Sequence, residues 1–261
     1  MGGVVRLERE GPLAWVVFDH PERRNAISAS MWRQIPEIAA RIDADPEVRV
    51  AILRGAGEVA FVSGADISEF ESTRLGAEGS RRYEEQNARA FGALLALEKP
   101  LLAMIHGFCV GGGLALALTA DLRYAADDAR FGVPAARLGL GYSPAGLELL
   151  DRLLGPSVTA ELFFTARRFP AEAMARKGFV NEVYPKAELE ARVREIALEI
   201  AGNAPLTIRS VKRILRELGR PRAERDQAAI EASVRACFES RDYREGIRAF
   251  LEKRRPIFEG R

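Results

Sequence analysis

The chemistry open to this chain of 261 residues is concentrated where side chains are missing: Gly111, Gly112 and Gly113 stand between the apolar run Leu101 to Ile105 and the helix-forming stretch Leu114 to Ala120. A helix start offers N–H groups with no intrahelical acceptor and the positive end of the helix dipole, and glycine leaves both uncovered. Negative charge developing on a ligand oxygen can be held there by backbone alone. Two phosphate-binding alternatives fail on spacing. A P-loop closes its last glycine with Lys and Ser or Thr, where this chain has Leu114 and Ala115; a dinucleotide fingerprint needs Gly-x-Gly-x-x-Gly, which Gly107 and Gly111 do not satisfy. On the motif alone, simple close packing of a helix against a sheet stays open.

A second strand, turn and helix start lies upstream at Ala60-Phe61-Val62-Ser63-Gly64-Ala65-Asp66-Ile67, after the strand 48 to 53 and the turn Arg54-Gly55-Ala56-Gly57. Two such turns, each giving one amide, would make a two-donor site for a carbonyl oxygen that becomes an enolate or tetrahedral anion.

These segments occur in a specific order with His20-Pro21-Glu22-Arg23-Arg24-Asn25-Ala26-Ile27, Ala120-Asp121-Leu122, Phe131-Gly132-Val133-Pro134 and Phe250-Leu251-Glu252-Lys253-Arg254-Arg255-Pro256. In that order the chain resembles, over nearly its whole length, the crotonase superfamily of enoyl-CoA hydratases and isomerases. The resemblance implies an α/β fold, a spiral of strand-strand-helix turns. It also implies carboxy-terminal helices that cover the active site and pack homotrimers, often paired into hexamers. It carries the two oxyanion-binding amides to Ala65 and Gly112. Contacts to an acyl-CoA substrate fall on Arg23, Arg24, Ala26, Gly64, Ala65, Asp66, Ile67, Gly111 and Lys253. Coenzyme A enters as part of the thioester, with no permanently bound cofactor and no metal.

The chain departs from the family where proton transfer is expected. Hydratases of this kind place one glutamate two residues after the glycine triplet and another after the Phe-Gly-x-Pro proline; here Ala115 and Ala135 stand there. A methyl can neither activate water nor supply a proton, and positioned proton transfer is worth about 10²–10⁴ in rate. Decarboxylation of a malonyl-type thioester needs no base, because the electrons of the broken bond flow into the thioester carbonyl. Tyr142, in the loop Leu138-Gly139-Leu140-Gly141-Tyr142-Ser143, matches a tyrosine of the methylmalonyl-CoA decarboxylase branch and is a candidate proton donor, against a plain packing role. Isomerisation needs a single shuttle carboxylate, for which Glu148 is a candidate, against a solvated residue near a helix start. Asp66 reads as a cap of the helix begun at Ile67, and Asp121 as a helix-to-strand junction. Glu22 replaces the lysine the family often has after Pro21. A non-catalytic acyl-CoA binder and an RNA-binding member are the rival readings.

Composition bears on those rivals. Lys and Arg total 39 against 37 acids, a net charge of +2, which gives no field to recruit nucleic acid. With 48% hydrophobic and 29% charged residues the chain can build one large core. No stretch reaches membrane-spanning length and the amino terminus lacks a signal-peptide core, so the expected setting is cytoplasmic, without a membrane partner. Cys109 and His106 flank the glycine cluster, but three apart on a strand they face opposite ways, and a nucleophile pair is not expected.

The elements that must position these residues follow from periodicity. Residues 4 to 9 and 13 to 19 read as a strand pair about the turn Glu10-Gly11-Pro12, and Ser28 or Ser30 opens a helix to Ile42 that Pro36 should bend or end early. Strands near 48 to 53, 101 to 105, 121 to 126 and 179 to 184 alternate with helices, an α/β layered core. After Pro185 the pattern is helical only, at 187 to 201, 206 to 218, 223 to 238 and 243 to 253; Leu189, Val193, Ile196 and Ile200 form a core stripe. The expected division is an acyl-CoA-binding core at 1–185 and a helical trimerisation or lid region at 186–261.

Overall fold

The computed structural model describes residues 2–69, 76–142 and 144–261, the side chains of Ala77 and Ala145 excepted. Strand β1 (Val4–Glu10) turns at Gly11 (φ 55°) into the antiparallel β2 (Leu13–Asp19), as the Glu10-Gly11-Pro12 turn predicts. From β2 the sheet continues in parallel through β3 (Val50–Gly55), β5 (Leu101–Ile105), β7 (Leu122–Ala126) and β10 (Glu182–Tyr184), in the order β1-β2-β3-β5-β7-β10. Alternate residues of β2 enter different cores. Ala14, Val16 and Phe18 face the larger one, and Leu13, Trp15 and Val17 a second one on the other side of the sheet.

The second sheet was less visible in the sequence. It orders β4 (Ala60–Val62), β6 (Phe108–Val110), β8 (Arg130–Gly132) and β9 (Phe169–Pro170). The strand expected at 101 to 105 is β5, and a further strand not expected from the sequence, β6, lies between it and the glycine triplet in the other sheet. Gly107 is the hinge: its φ is 55°, and a Cβ there would fall 1.9 Å from the Val59 carbonyl oxygen. Repetition of strand, strand and helix gives the spiral the resemblance implies.

Helix α1 (Ala29–Ala44) begins at Ser28, whose Oγ accepts from the Met31 N–H at 3.3 Å. It does not end early at Pro36. Met31, Trp32, Ile35, Ile38, Ala39 and Ile42 are buried at helical spacing, so tertiary burial outweighs the missing N–H. Helix α2 (Gly76–Ala96), whose bounds the alternation of strands and helices does not give, packs against α1. Helix α3 (Gly112–Leu118) follows the glycine triplet, α4 (Ala135–Leu138) follows β8, and α5 (Pro144–Thr165) kinks at Gly155, next to Pro156.

After α6 (Ala171–Arg176) and β10, helix α7 (Lys186–Ala201) lays Leu189, Val193 and Ala197 on the outer face of the six-stranded sheet, with Ile196 and Ile200 partly buried beside them. The carboxy-terminal helices thus begin as part of the core. Helices α8 (Pro205–Leu218), α9 (Gln227–Glu239) and α10 (Arg241–Leu251) complete the chain. Lys212 of α8 ties them back, donating to the Asp121 carboxylate at 2.6 Å and to the Lys99 carbonyl at 2.7 Å, while Asp121 also accepts from the Leu101 N–H at 2.7 Å. No helix among the described residues is long and apolar enough to cross a membrane.

Candidate active site

The three glycines of the triplet do three different things. Gly111 has φ 53° and ψ −113°, a conformation closed to L side chains, and turns the chain from β6 into α3. Gly113 is steric, because a Cβ would fall 2.1 Å from the Val62 carbonyl oxygen, so α3 can lie on β4 only without it. Gly112 needs glycine for neither reason. A Cβ on it would stand 3.6 Å from the Ala65 nitrogen and 3.4 Å from Cζ2 of Trp32, in ordinary contact.

Ala65 is held from both sides. The Ile27 N–H donates to Gly64 O at 2.8 Å and the Asp66 N–H donates to Ile27 O at 2.9 Å, so the segment forms a short parallel bridge to Ile27. Gly64, with φ 123°, makes the turn into it. Asn25, fully buried, fixes the same loop: its Nδ2 donates to Ala56 O at 2.9 Å and Ala60 O at 2.7 Å, and its Oδ1 accepts from the His20 N–H. Asp66 accepts from the Ser68 N–H at 3.0 Å, the capping role expected of it. Among the described residues neither the Ala65 nor the Gly112 amide donates to an acceptor.

Both residues line a cavity of about 320 Å³. Its wall is mostly apolar, with Trp32, Phe91, Leu95, Leu118 and the Ala115 methyl. Tyr142 and Gly141 contribute from the loop after α4, and Gly111 from the triplet. Tyr142 is 42% exposed and packs edge-on against Phe163, ring centroids 4.9 Å apart; Ser143 at the end of that loop lies outside the described residues. Ala135 is not on the wall but buried in the larger core at the start of α4.

Glu148 does not belong to this cavity. Gly146 and Leu149 of the same helix turn line it, but the Glu148 side chain is 71% exposed and paired with Arg152 one turn on, at 3.6 Å. The helix start that put Glu148 near the loop also turned it toward solvent, which only the packing of α5 could reveal. Of the residues assigned to coenzyme A, Gly64, Ala65, Asp66, Ile67 and Gly111 sit on or beside the two turns, and Ala26 is buried next to them. Arg23 and Arg24 are exposed, the Arg24 guanidinium lying 5.3 Å from the centre of the Phe108 ring. Lys253 is exposed just past α10 and is not among the described residues that line the cavity.

The wall that sequence reasoning missed is α2. Tyr83, Glu84, Asn87, Ala88, Phe91 and Leu95 line the cavity at helical spacing. Tyr83 is buried, and its hydroxyl accepts from Trp32 Nε1 at 3.2 Å, joining α2 to α1. Glu84 is the one carboxylate on the wall among the described residues. A periodic Tyr83, Asn87, Phe91 pattern with Ala90 and Leu94 was the available signal, but nothing in it tells which face meets a ligand.

The Cys109 and His106 pair is inert. Cys109 is fully buried and burial raises its thiol pKa, while burial, assisted by Arg54, lowers that of His106 to about 4. No group of three or more His, Cys, Asp or Glu among the described residues is arranged to hold a metal ion.

Comparison with known proteins gives the family and the fold. The family model described as enoyl-CoA hydratase/isomerase matches residues 8–261. A short-chain-enoyl-CoA hydratase of Clostridium acetobutylicum is 35% identical over 251 residues, 96% of this chain and 95% of its own. A carnitinyl-CoA dehydratase of Escherichia coli O157:H7 is 35% identical over an alignment of 268 positions that covers all of both chains. A crystal structure of an enoyl-CoA hydratase/carnithine racemase from Magnetospirillum magneticum superposes with a TM-score of 0.95 at 36% identity, covering 99% of this chain and 96% of that one. With its two turns, spiral fold and full-length relatives, the chain belongs to the enoyl-CoA hydratase/isomerase family, within the crotonase superfamily.

Proposed function

We propose that this member of the family is an acyl-CoA lyase that passes through a thioester enolate held by the Ala65 and Gly112 amides. The observation that carries the reading is that Ala65 and Gly112, whose N–H groups have no acceptor among the described residues, line the same cavity. Such donors stabilise charge that appears only as the reaction proceeds, and so lower the barrier rather than merely tighten binding. With methyls at Ala115 and Ala135, decarboxylation is the step that asks least of the side chains. The bond from Cα to the carboxylate carbon breaks, its electron pair enters the thioester as an enolate, carbon dioxide leaves, and Cα takes a proton from Tyr142 or from water. Tyr142 supports this by lining the cavity.

A second reading has its own observation. Glu84 on the same wall supplies a carboxylate from a different helix, which favours reversible addition of water to an enoyl thioester. The relatives named as hydratase and dehydratase weigh on that side. Methylmalonyl-CoA, crotonyl-CoA and a 3-enoyl-CoA, each incubated with the enzyme and followed by mass spectrometry, separate the readings. Decarboxylation that slows in Tyr142→Phe supports the first. Hydration of crotonyl-CoA that is lost in Glu84→Gln supports the second and removes the first. Tight acyl-CoA binding with no turnover of any thioester would make the chain a binder instead. The exposed apolar side chains of α8 to α10, Phe250 and Leu251 among them, support the trimer or hexamer that the family resemblance implies.

A further inference from the structure

The Ala65 N–H makes no bond of its own among the described residues, so its direction is set by the residues on either side, and both are tied to Ile27. The Ile27 N–H donates to Gly64 O at 2.8 Å, and the Asp66 N–H donates to Ile27 O at 2.9 Å. Just before them the Ser63 N–H donates to Arg24 O at 3.2 Å, so residues 63–66 are zipped along 24–27. What fixes 24–27 is Asn25. Its φ of 56° lies in the left-handed region, as does that of Arg24 at 53°, and asparagine is among the few residues besides glycine that enter that region readily. The residue is 1% exposed and is not among the described residues that line the cavity. Its Nδ2 spends both hydrogens, on Ala56 O and Ala60 O, and its Oδ1 accepts from the His20 N–H at 3.0 Å, which joins the end of β2, the turn after β3 and the start of β4. Gly55 makes room for that carboxamide: a Cβ there would stand 2.7 Å from Asn25 Nδ2. The Gly112 amide has a separate support, α3 seated on β4 through Gly113.

We propose that Asn25 is a positioning residue for the reaction: its buried carboxamide sets the direction of the Ala65 N–H relative to that of Gly112, so that both meet one thioester oxygen. The side chain suits the task in three ways at once. It offers two donors, one acceptor and tolerance of a left-handed φ; an ionised aspartate would turn an acceptor oxygen on the Ala56 and Ala60 carbonyls, and alanine would lose the bonds and resist the backbone. Direction matters because such donors act by being aimed in advance at the point where charge develops, and a misplacement of about 1 Å costs up to about 10²-fold in rate. The assignment rests on the reading that the Ala65 and Gly112 amides hold the thioester oxygen, and is independent of which bond is broken.

The test binds butyryl-CoA, labelled with carbon-13 at the thioester carbonyl, to the wild-type enzyme, Asn25→Gly and Asn25→Asp, and reads the carbonyl stretch by difference infrared spectroscopy. This thioester is saturated and has no second carboxylate, so neither water addition nor decarboxylation consumes it. Asn25→Gly keeps the left-handed backbone, and Asn25→Asp keeps an acceptor for the His20 N–H. Lys212→Met, on α8 and off the cavity wall, is the destabilised control. Thermal melts check folding, and steady-state kinetics use whichever thioester the wild type converts. Wild type and control are expected to lower the stretch relative to free butyryl-CoA, and a folded Asn25 variant to lose at least half of that shift. In the same variant kcat should fall about 10- to 100-fold with KM within about threefold of wild type. A folded variant with the wild-type shift and kcat overturns the proposal while leaving the amide reading intact. So does a control that loses the shift as well, or the failure of both Asn25 variants to fold, which gives the residue to the fold alone. No shift in wild type, or no binding to it, removes the amide reading, and the proposal with it.

Discussion

Replacing Gly112 by alanine should separate stability from activity. The position is the first residue of α3 and its φ lies outside the left-handed region, so an L residue is allowed there. The added methyl would meet Trp32 Cζ2 at 3.4 Å, the Ala65 nitrogen at 3.6 Å and the Gly64 carbonyl carbon at 3.7 Å, with no neighbour forced to move. Alanine in place of a helical glycine is favourable by up to about 1 kcal/mol, or roughly 2–4 °C in melting temperature for a chain of this size. The same methyl stands over the Ala65 amide, where an accepting oxygen would lie about 2.9 Å from the nitrogen. The two compete for space. Losing one of two such donors typically lowers turnover by about 10²–10³, so the variant is expected to melt at or slightly above the wild-type temperature and turn over about 100-fold more slowly. The assay is a thermal melt alongside steady-state kinetics on whichever thioester the wild type converts. Gly113→Ala is the contrast, since its methyl would fall 2.1 Å from Val62 O and should abolish folding instead. A Gly112→Ala enzyme as active as wild type would refute the role given to these amides.

Two further outcomes follow from buried charge. His106 is 5% exposed, its Nε2 has no partner among the described residues, and burial holds its pKa near 4 rather than 6.5. Above pH 6.5 both folded and unfolded chains carry it neutral. As pH falls from 6.5 toward 4 the unfolded chain gains a proton that the folded one refuses, so stability should drop by about 3 kcal/mol over that window; denaturant midpoints measured across it should flatten in His106→Phe. Lys212→Met should cost about 2 kcal/mol, because it leaves the Lys99 carbonyl without its donor and Asp121, a third exposed, without its cation. An unchanged guanidinium midpoint would show that this pair does not hold α8 in place.

Much of the architecture could be read along the chain because it depends on neighbours in sequence. The β1 and β2 hairpin, the Ser28 cap, the Asp66 turn and the stripe on α7 each follow from residue type and spacing over a few positions. Pro36 was misjudged because local propensity is small beside the burial of Ile35 and Ile38 around it. The strand 101 to 105 is legible, but the three residues Phe108 to Val110 are too few to show a strand of a second sheet, and only the approach of Val59 O shows why glycine stands at Gly107.

For the site, residue types and spacing alone determined that a glycine triplet starts a helix, that a second turn carries Ala65, and that no carboxylate stands at positions 115 and 135. Tertiary structure alone decided which side chains share one space with those turns. Asn87 and Glu84 reach the cavity because α2 crosses α1 near Trp32, while Glu148, close to the loop in sequence, is turned to solvent. Backbone conformation depends on a few consecutive residues, whereas the lining of a cavity depends on how whole helices pack, and that information is spread over segments tens of residues apart.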